Sequence, residues 1–349
     1  MKLFSNDLGV DLGTSNVLIY VDGKGIVVRE PSVVAVDKNS GRILAVGAEA
    51  RNMLGRTPGN VVAMHPLKDG VISDHEMTVR MLQTLFRKAA KTGKASFLTP
   101  KPRVIICVPS GVTEVEERSV INAAIEAGAR RVYLIEEPLA AALGANLDIG
   151  GPNGHMIVDI GGGTTDVAVL TLNGVAASSS IKVAGGSFDE AIGRHVRRRH
   201  GVVIGQTTAE DIKIKIGCVY QRPEDASMIV KGRDVKSGMP RELELHSSEI
   251  AEILWRPARQ IADEVLSVLE NTSPELVSDI AENGITLTGG GSQLWGMDKL
   301  LTERTGIQCT LADDPDSCVA YGCGKALSWI NTMTEGPINI ARKRIMRSI

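Results

Sequence analysis

The sequence predicts an α/β protein of two related lobes, and three observations carry that prediction. Apolar strands alternate with amphipathic helices through both halves, the pattern of sheets covered by helices. A strand–glycine turn–strand unit near the start, Leu8-Gly9-Val10-Asp11-Leu12-Gly13-Thr14-Ser15-Asn16-Val17-Leu18-Ile19-Tyr20, returns in the middle as Met156-Ile157-Val158-Asp159-Ile160-Gly161-Gly162-Gly163-Thr164-Thr165-Asp166-Val167-Ala168-Val169-Leu170. Between the two halves stands a breaker cluster, Asp148–Asn153, where a domain boundary is expected. A length of 349 residues suits about two domains, each large enough to bury its own core.

In chain order, the first hairpin is followed by short strands at Ile26–Val28 and Ser32–Val36. The polar turn Asp37–Gly41 then leads to a strand at Ile43–Val46, a small hairpin-bearing lobe. His75–Ala90 carries Met77, Met81, Leu82, Leu85 and Ala89 at helical spacing. A strand at Val104–Val108 ends at Pro109, and Thr113 with Glu116 forms a capping box for a helix that Gly128 stops. The strand Val132–Ile135 runs through Glu136-Glu137-Pro138 into the helix Leu139–Ala145, with proline at a first helical position. In the second half, Ile212, Ile214 and Ile216 alternate like a strand. A capping box of Thr207 with Glu210 nevertheless predicts a helix there. A long amphipathic helix, Ser248–Glu270, precedes the strand Ile285–Thr288, and Gly289-Gly290-Gly291-Ser292 opens a helix near Trp295–Leu301.

Each repeated unit is a hairpin with an aspartate at the end of its first strand and no side-chain bulk at its tip. Glycine there lets backbone N–H groups approach an anion, and the hydroxyl residues add donors. Two such hairpins face to face make a clamp for a polyphosphate. Neither tip contains Lys or Arg, so phosphate charge must be met by backbone and Mg²⁺, which makes Asp11 and Asp159 the metal partners. No G-x-x-x-x-G-K-[S/T] run exists, and neither tip opens directly into a helix as a Rossmann turn does. Glu137 begins a helix, where it either complements the helix dipole or orients a water attacking a γ-phosphate. Gly289–Gly291 either passes under a flat base, presents N–H groups to phosphate, or merely connects. Glu210 and Lys213, one turn apart, either bond ribose hydroxyls or a base edge, or form a surface pair.

Other features bound the function. A net charge of −2 gives no field toward nucleic acid, and 3% aromatic residues provide no base-stacking platform. Five cysteines without a C-x-x-C pair signal neither a disulfide framework nor a zinc site, as expected in a reducing cytoplasm. Lys2, Asp7 and Asp11 mark an N-terminus that is neither signal peptide nor spanning helix, and no other apolar run is long enough to span. His195 and His200 lack the four-residue spacing that puts two ligands on one α-helical face. Arg197-Arg198-Arg199 reads as a solvated face. A large apolar pair, Phe97-Leu98, lies in the polar loop Lys91–Arg103 among Lys91, Lys94, Lys101 and Arg103, the composition of an anionic-membrane contact. The tail Ile338–Ile349 is a second basic and apolar candidate.

These segments together resemble the actin, sugar kinase and heat-shock chaperone ATPase superfamily, and within it the MreB family of bacterial actins. The resemblance spans essentially the whole chain. It is carried by Val10–Asn16, Gly25–Ser32, Leu134–Pro138, Val158–Thr165, Ala209-Glu210-Asp211-Ile212-Lys213 and Leu287–Ser292. It implies an actin-like domain I at 1–150 plus 316–349, with a small inserted lobe at about 32–75, and a domain II at 151–315, with one at about 183–240. It implies ATP between the lobes with Mg²⁺ at Asp11 and Asp159. Gly13, Thr14, Ser15 and Asn16 with Gly161, Gly162, Gly163 and Thr164 would hold phosphates. Ala209–Lys213, chiefly Glu210 and Lys213, would meet the nucleoside, and Gly289, Gly290, Gly291 and Ser292 would line the adenosine pocket. Glu137 and Thr164 are the catalytic candidates. Asp166 stands where many such sequences have Glu.

The expected function is that of a slow ATPase forming filaments with copies of itself on the inner face of the cell membrane. There it would work with the cell-wall elongation machinery to set rod shape, without nucleic acid. A chaperone-like ATPase and a small-molecule kinase are the rival classes. The chain ends soon after its last predicted helix, which leaves no room for a chaperone's peptide-binding domain. No hydroxyl-activating carboxylate for a kinase is identifiable.

Overall fold

The computed structural model describes residues 7–91, 101–332 and 338–339. Its first half supplies β1 (Leu8–Leu12), β2 (Asn16–Val21), β3 (Gly25–Pro31), β4 (Val34–Asp37), β5 (Ile43–Val46), α1 (Ala48–Arg51), β6 (Val61–Met64), β7 (Leu67–Lys68), β8 (Val71–Ile72), α2 (His75–Lys91), β9 (Arg103–Val108), α3 (Glu114–Glu126), β10 (Arg131–Glu136) and α4 (Glu137–Gly144). The rest supplies β11 (His155–Ile160), β12 (Thr165–Thr171), β13 (Gly174–Ile181), α5 (Gly185–His195), β14 (Val202–Val203), α6 (Gln206–Ile216), β15 (Ser227–Asp234), β16 (Pro240–His246), α7 (Ser247–Glu270), α8 (Pro274–Asn283), β17 (Ile285–Thr288), α9 (Met297–Thr305), β18 (Cys309–Leu311) and α10 (Cys318–Ala326).

One sheet plan occurs twice. The first sheet runs β3-β2-β1-β9-β10, and Ile338–Asn339 adds to its β10 edge; the second runs β13-β12-β11-β17-β18. In each, an antiparallel three-strand meander begins with the aspartate strand, and two parallel strands follow on that strand's other side. Parallel neighbours need crossovers, and helices supply them. Two smaller sheets, β5-β4-β6 and β14-β15-β16, sit in the chain between these strands.

Among the described residues, three large apolar cores follow from this plan, beside a small cluster of Val33, Ala35 and Ala50. One lies within the first lobe around Val10, Ile19, Met81, Leu85 and Ile106. A second fills the other lobe around Val158, Phe188, Ile212, Leu254 and Ile261. The third joins them, with Ile105, Ile135 and Leu139 meeting Ile157, Leu170 and Cys323. At this junction α4 and α10 cross at backbone contact. A β-carbon on Gly322 would stand 1.7 Å from the Ala140 carbonyl oxygen, and one on Gly144 1.8 Å from that of Cys318. Only glycine permits this approach.

Local signals behave as their physics requires, with two corrections. Thr113 and Glu116 exchange both capping-box bonds at the start of α3, and Pro138 sits in the first turn of α4. The helix over 206–216 exists, but Thr207 does not cap it. The chain enters at Gly205 without a side-chain cap, because Thr207 already lies inside the first turn and the Glu210 carboxylate is drawn elsewhere. Likewise the spacing of His195 and His200 does not keep them apart. Past α5 the helix widens into a π-turn over Val196–His200, whose closing bond runs from Gly201 N–H back to the Val196 carbonyl. The wider turn brings positions five apart onto one face. Arg197, Arg198 and Arg199 are exposed, as expected of a solvated face. All five cysteines are free and buried. Among the described residues, no helix is long and apolar enough to cross a membrane. Phe97, Leu98 and the tail 340–349 lie outside the described residues.

Candidate functional site

A cavity of about 590 Å³ opens between the lobes, at the ends of the two aspartate strands, within the range of small-ligand sites. Both hairpin tips, Gly13–Asn16 and Gly161–Thr164, line it. The tips touch: a β-carbon on Gly162 would lie 2.0 Å from Ser15 Oγ, and one on Gly163 2.4 Å from Thr14 Oγ1. Neighbouring elements hold each tip by its carbonyls. Ser32 donates its N–H to Ser15 O at 2.9 Å and its hydroxyl to Gly13 O at 2.6 Å. Gly185 and Gly186, opening α5, donate N–H to Gly161 O and Gly162 O at 3.0 and 2.8 Å.

Acidic groups form the floor. Asp11 and Asp159 occupy corresponding places on β1 and β11. Burial pushes the Asp11 carboxyl up to about 7, against a weak Cys107 thiol contact, and the charge of Asp316 adds to the rise. Burial likewise pushes Asp159 up to about 7, although Thr288 donates its hydroxyl to Asp159 Oδ1 at 2.7 Å. Glu137, where β10 passes into α4, is raised well above the usual carboxylate range by burial and then by Asp166, Asp159 and Asp11. Asp166 is fully buried opposite Asp159 in the β11–β12 register and accepts the Ser110 N–H at 2.9 Å. Burial raises it too. Carboxylates gathered out of water cost free energy unless a cation or protons neutralise them. This donor set of oxygens suits a hard divalent cation such as Mg²⁺.

The remaining candidates divide. Glu210 and Lys213 line the cleft, but Ala209 and Ile212 are turned into the second lobe's core, and Asp211 faces solvent. The helical period explains the division, since Glu210, Lys213 and Ile214 share the face turned to the cleft. Glu210 Oε2 accepts from Arg51 Nη2 at 2.5 Å, a bridge across the cleft from α1. Lys213 Nζ donates to the Gly185 carbonyl at 3.1 Å and to Asp189 at 2.9–3.0 Å, so it braces the start of α5 beneath the second tip.

Gly289, Gly290 and Gly291 line the cleft, and Gly289 at φ +80° passes so close to β11 that a β-carbon would meet Ile160 O at 2.3 Å. Ser292 is buried and donates its hydroxyl to Gly289 O at 2.6 Å, pinning the loop from behind. The chain then turns through Gly296 at φ +82° before α9 starts at Met297, slightly later than the sequence suggests. Thr164 is buried at the second tip, against Gly70 of the opposite lobe.

Sequence reasoning passed over several wall residues, among them Gly70, Lys215, Arg222, Trp295 and Asp316. Arg222 lies 5.4 Å from the Trp295 ring centre and Lys299 Nζ 4.7 Å. Trp295 stands three residues after a glycine–serine loop, a local signal that could have been followed. Gly70 and Asp316 reach the site only through tertiary folding.

Two copies of one sheet plan, each ending in a glycine hairpin turned toward the other across a cleft, make this an actin-like fold. A family model described as "MreB/Mbl protein" matches residues 5–335, and the chain belongs to the MreB/Mbl family. It is 51% identical over 333 residues to the cell shape-determining protein MreB of Escherichia coli (strain K12), covering 94% of this chain and 95% of that one. It is 49% identical over 325 residues to the cell shape-determining protein Mbl of Bacillus subtilis (strain 168), covering 93% and 96%. Among solved structures, MreB5 of Spiroplasma citri bound to ADP superposes with a TM-score of 0.87 at 40% identity, over 93% of this chain and 97% of that one. The MamK double helical filament shares the fold, with a TM-score of 0.77 at 24% identity over 92% and 98%. The chain is thus a bacterial actin homologue of the cell-shape family.

Proposed function

We propose that this chain binds Mg-ATP in the interlobe cleft, polymerises with copies of itself, and hydrolyses the nucleotide slowly to time filament turnover. The observation that carries this reading is the contact of the two glycine tips in the cleft that Asp11 and Asp159 also line. The tips present backbone N–H groups and the Thr14, Ser15 and Thr164 hydroxyls to a phosphate chain. Asp11 and Asp159 are the residues to hold Mg²⁺, which would offset their mutual repulsion and polarise the phosphate oxygens. Glu137, which burial and the neighbouring acids hold well above the usual carboxylate range, would orient the attacking water, a positioning role rather than strong base chemistry. Lys213 acts by bracing α5, and Glu210 exchanges Arg51 for the nucleoside. Solved relatives carry ADP and AMPPNP, which supports the nucleotide.

The division into domains at 1–150 plus 316–349 and 151–315 is supported by a separate core in each half, with a third core between them. We place the filament in the cytoplasm on the inner membrane face, held by Phe97-Leu98 within a basic stretch of sequence, an anchor multiplied by avidity along the polymer, where it would organise cell-wall synthesis. The test is nucleotide binding and pelleting of wild type and of Asp11→Ala and Asp159→Ala. Both substitutions should abolish metal-dependent ATP binding. Unchanged affinity in both would remove the two-hairpin clamp.

A further inference from the structure

The π-turn after α5 builds a second chemical site, remote in role from the cleft. His195 is the last residue of α5 and His200 the last of the turn, and Glu249 lies in the first turn of α7. Both imidazoles aim Nε2 at the same atom, Glu249 Oε1, at 2.6 and 2.7 Å. Their ring centres stand 6.0 Å apart, inclined by 68°. The three side chains are only 18–25% exposed, so the group is largely shielded from bulk water. Among the described residues, no other set of His, Cys, Asp or Glu brings three ligand atoms within 4.8 Å of one another.

We propose that His195, His200 and Glu249 form a binding site for a borderline divalent transition-metal ion of the zinc class. Two imidazole nitrogens and one carboxylate oxygen are an established ligand type for such ions. The hard cations Mg²⁺ and Ca²⁺, by contrast, favour all-oxygen sets. The 2.6 and 2.7 Å separations are those of a hydrogen-bonded trio, in which one carboxylate oxygen accepts from both rings; the metal reading rests on the π-turn that brings two imidazoles onto one shielded carboxylate. Such turns carry a backbone cost and occur disproportionately at functional sites.

Metal entry needs both rings in the tautomer protonated at Nδ1, releasing Nε2 as ligand. It also needs each Nε2 to move about 0.6–0.7 Å farther from Glu249 Oε1, to the separation of about 3.3 Å between tetrahedral ligands whose bonds to a shared ion are about 2.0–2.2 Å. Glu252, one helical turn beyond Glu249, lines the same depression but is not among the three residues whose ligand atoms converge, so the fourth position would be left to water. Asp225, on the same wall, is already committed to the hydroxyls of Ser247 and Ser248 and to the Ser248 N–H. Arg199 also lines the depression, and the acidic neighbours offset its charge.

The consequence is mechanical. The ion ties the end of α5 to the start of α7. The His200 carbonyl, which accepts from Arg241 of β16 at 3.0 Å, extends the tie to the outer sheet of the second lobe.

The test is a titration of metal-stripped full-length protein with Co²⁺ as spectroscopic probe, in saturating Mg-ATP, followed by displacement with Zn²⁺. The visible absorption of low-coordinate cobalt should saturate at one ion per chain and vanish on adding zinc. His195→Gln, His200→Gln and Glu249→Gln should each weaken binding about tenfold or more. Zinc should raise the melting temperature of wild type but not of these variants, through preferential binding to the folded state. Glu249→Gln, which keeps shape and hydrogen bonding, guards against a variant that fails to fold. Absence of a saturable cobalt spectrum would overturn the proposal. So would a spectrum retained in all three variants, which would assign the ion to the cysteines or the cleft carboxylates.

Discussion

Asp11, Asp159 and Glu137 share one electrostatic condition: each is a carboxyl group removed from water and surrounded by other acids. Asp11 and Asp159, pushed up to about 7, bind more protons when folded than when unfolded between roughly pH 4 and pH 7. Stability of the metal-free protein should therefore fall as pH rises through that window and level off above it. Mg-ATP should flatten the dependence, because the cation replaces the protons. Thermal melts from pH 5 to pH 8, with and without Mg-ATP, check this; a metal-free stability that rises with pH would contradict it. Binding should release protons below pH 7, so affinity should weaken on acidification. Glu137 makes a different prediction. Glu137→Ala should lower turnover by about a hundredfold while ATP affinity stays nearly unchanged. Equal losses in both would reduce Glu137 to a helix-start residue. Gly162→Ala tests the tip contact, since its β-carbon would fall 2.0 Å from Ser15 Oγ. It should abolish nucleotide binding in a protein that still folds, and Ser15→Gly should partly restore binding in the double variant.

At the scale of elements, what was legible in the sequence was what is encoded locally. The capping box of α3 needs two side chains three residues apart, and the aspartate–glycine hairpins need a run of about a dozen residues. Both could be read directly. The bridge from Arg51 to Glu210 joins positions 159 apart, and the brace from Lys213 to Asp189 joins different helices, so neither leaves a local pattern. Thr207 misled as a cap because a hydroxyl followed by Glu three residues on also occurs inside helices. His195 and His200 misled because a π-turn is a backbone event that no side-chain spacing announces. The long-range contacts are testable. Arg51→Ala breaks a bridge whose partners are 38% and 30% exposed, so it should cost about 1 kcal/mol or less of stability. It should still speed nucleotide exchange measurably in stopped-flow release. Gly322→Ala should do far more, because the added carbon meets backbone rather than a flexible side chain. A loss of about 1–3 kcal/mol or greater is expected from denaturant unfolding. Wild-type stability in this variant would show that α4 and α10 can separate freely.

For the whole molecule, the repeated sheet plan explains why a single ligand is held from two sides. Each lobe brings one aspartate strand and one glycine tip, and the core in which α4 and α10 of the first lobe meet Ile157, Ala168 and Leu170 of the second joins them. On the proposed reading, a nucleotide between the tips would link the lobes, and a polymer of such units would sense its occupancy. The proposed membrane attachment belongs to this scale too. Phe97→Ser with Leu98→Ser should release filaments from anionic liposomes without preventing assembly in solution, and undiminished co-sedimentation would shift the contact to the basic tail. The central claim, that cleft occupancy governs assembly, is tested most directly by pelleting with electron microscopy of wild type and Asp159→Ala, each with and without Mg-ATP. Filaments should form only from wild type with Mg-ATP; equal polymer from wild type without nucleotide, or from Asp159→Ala, would contradict it.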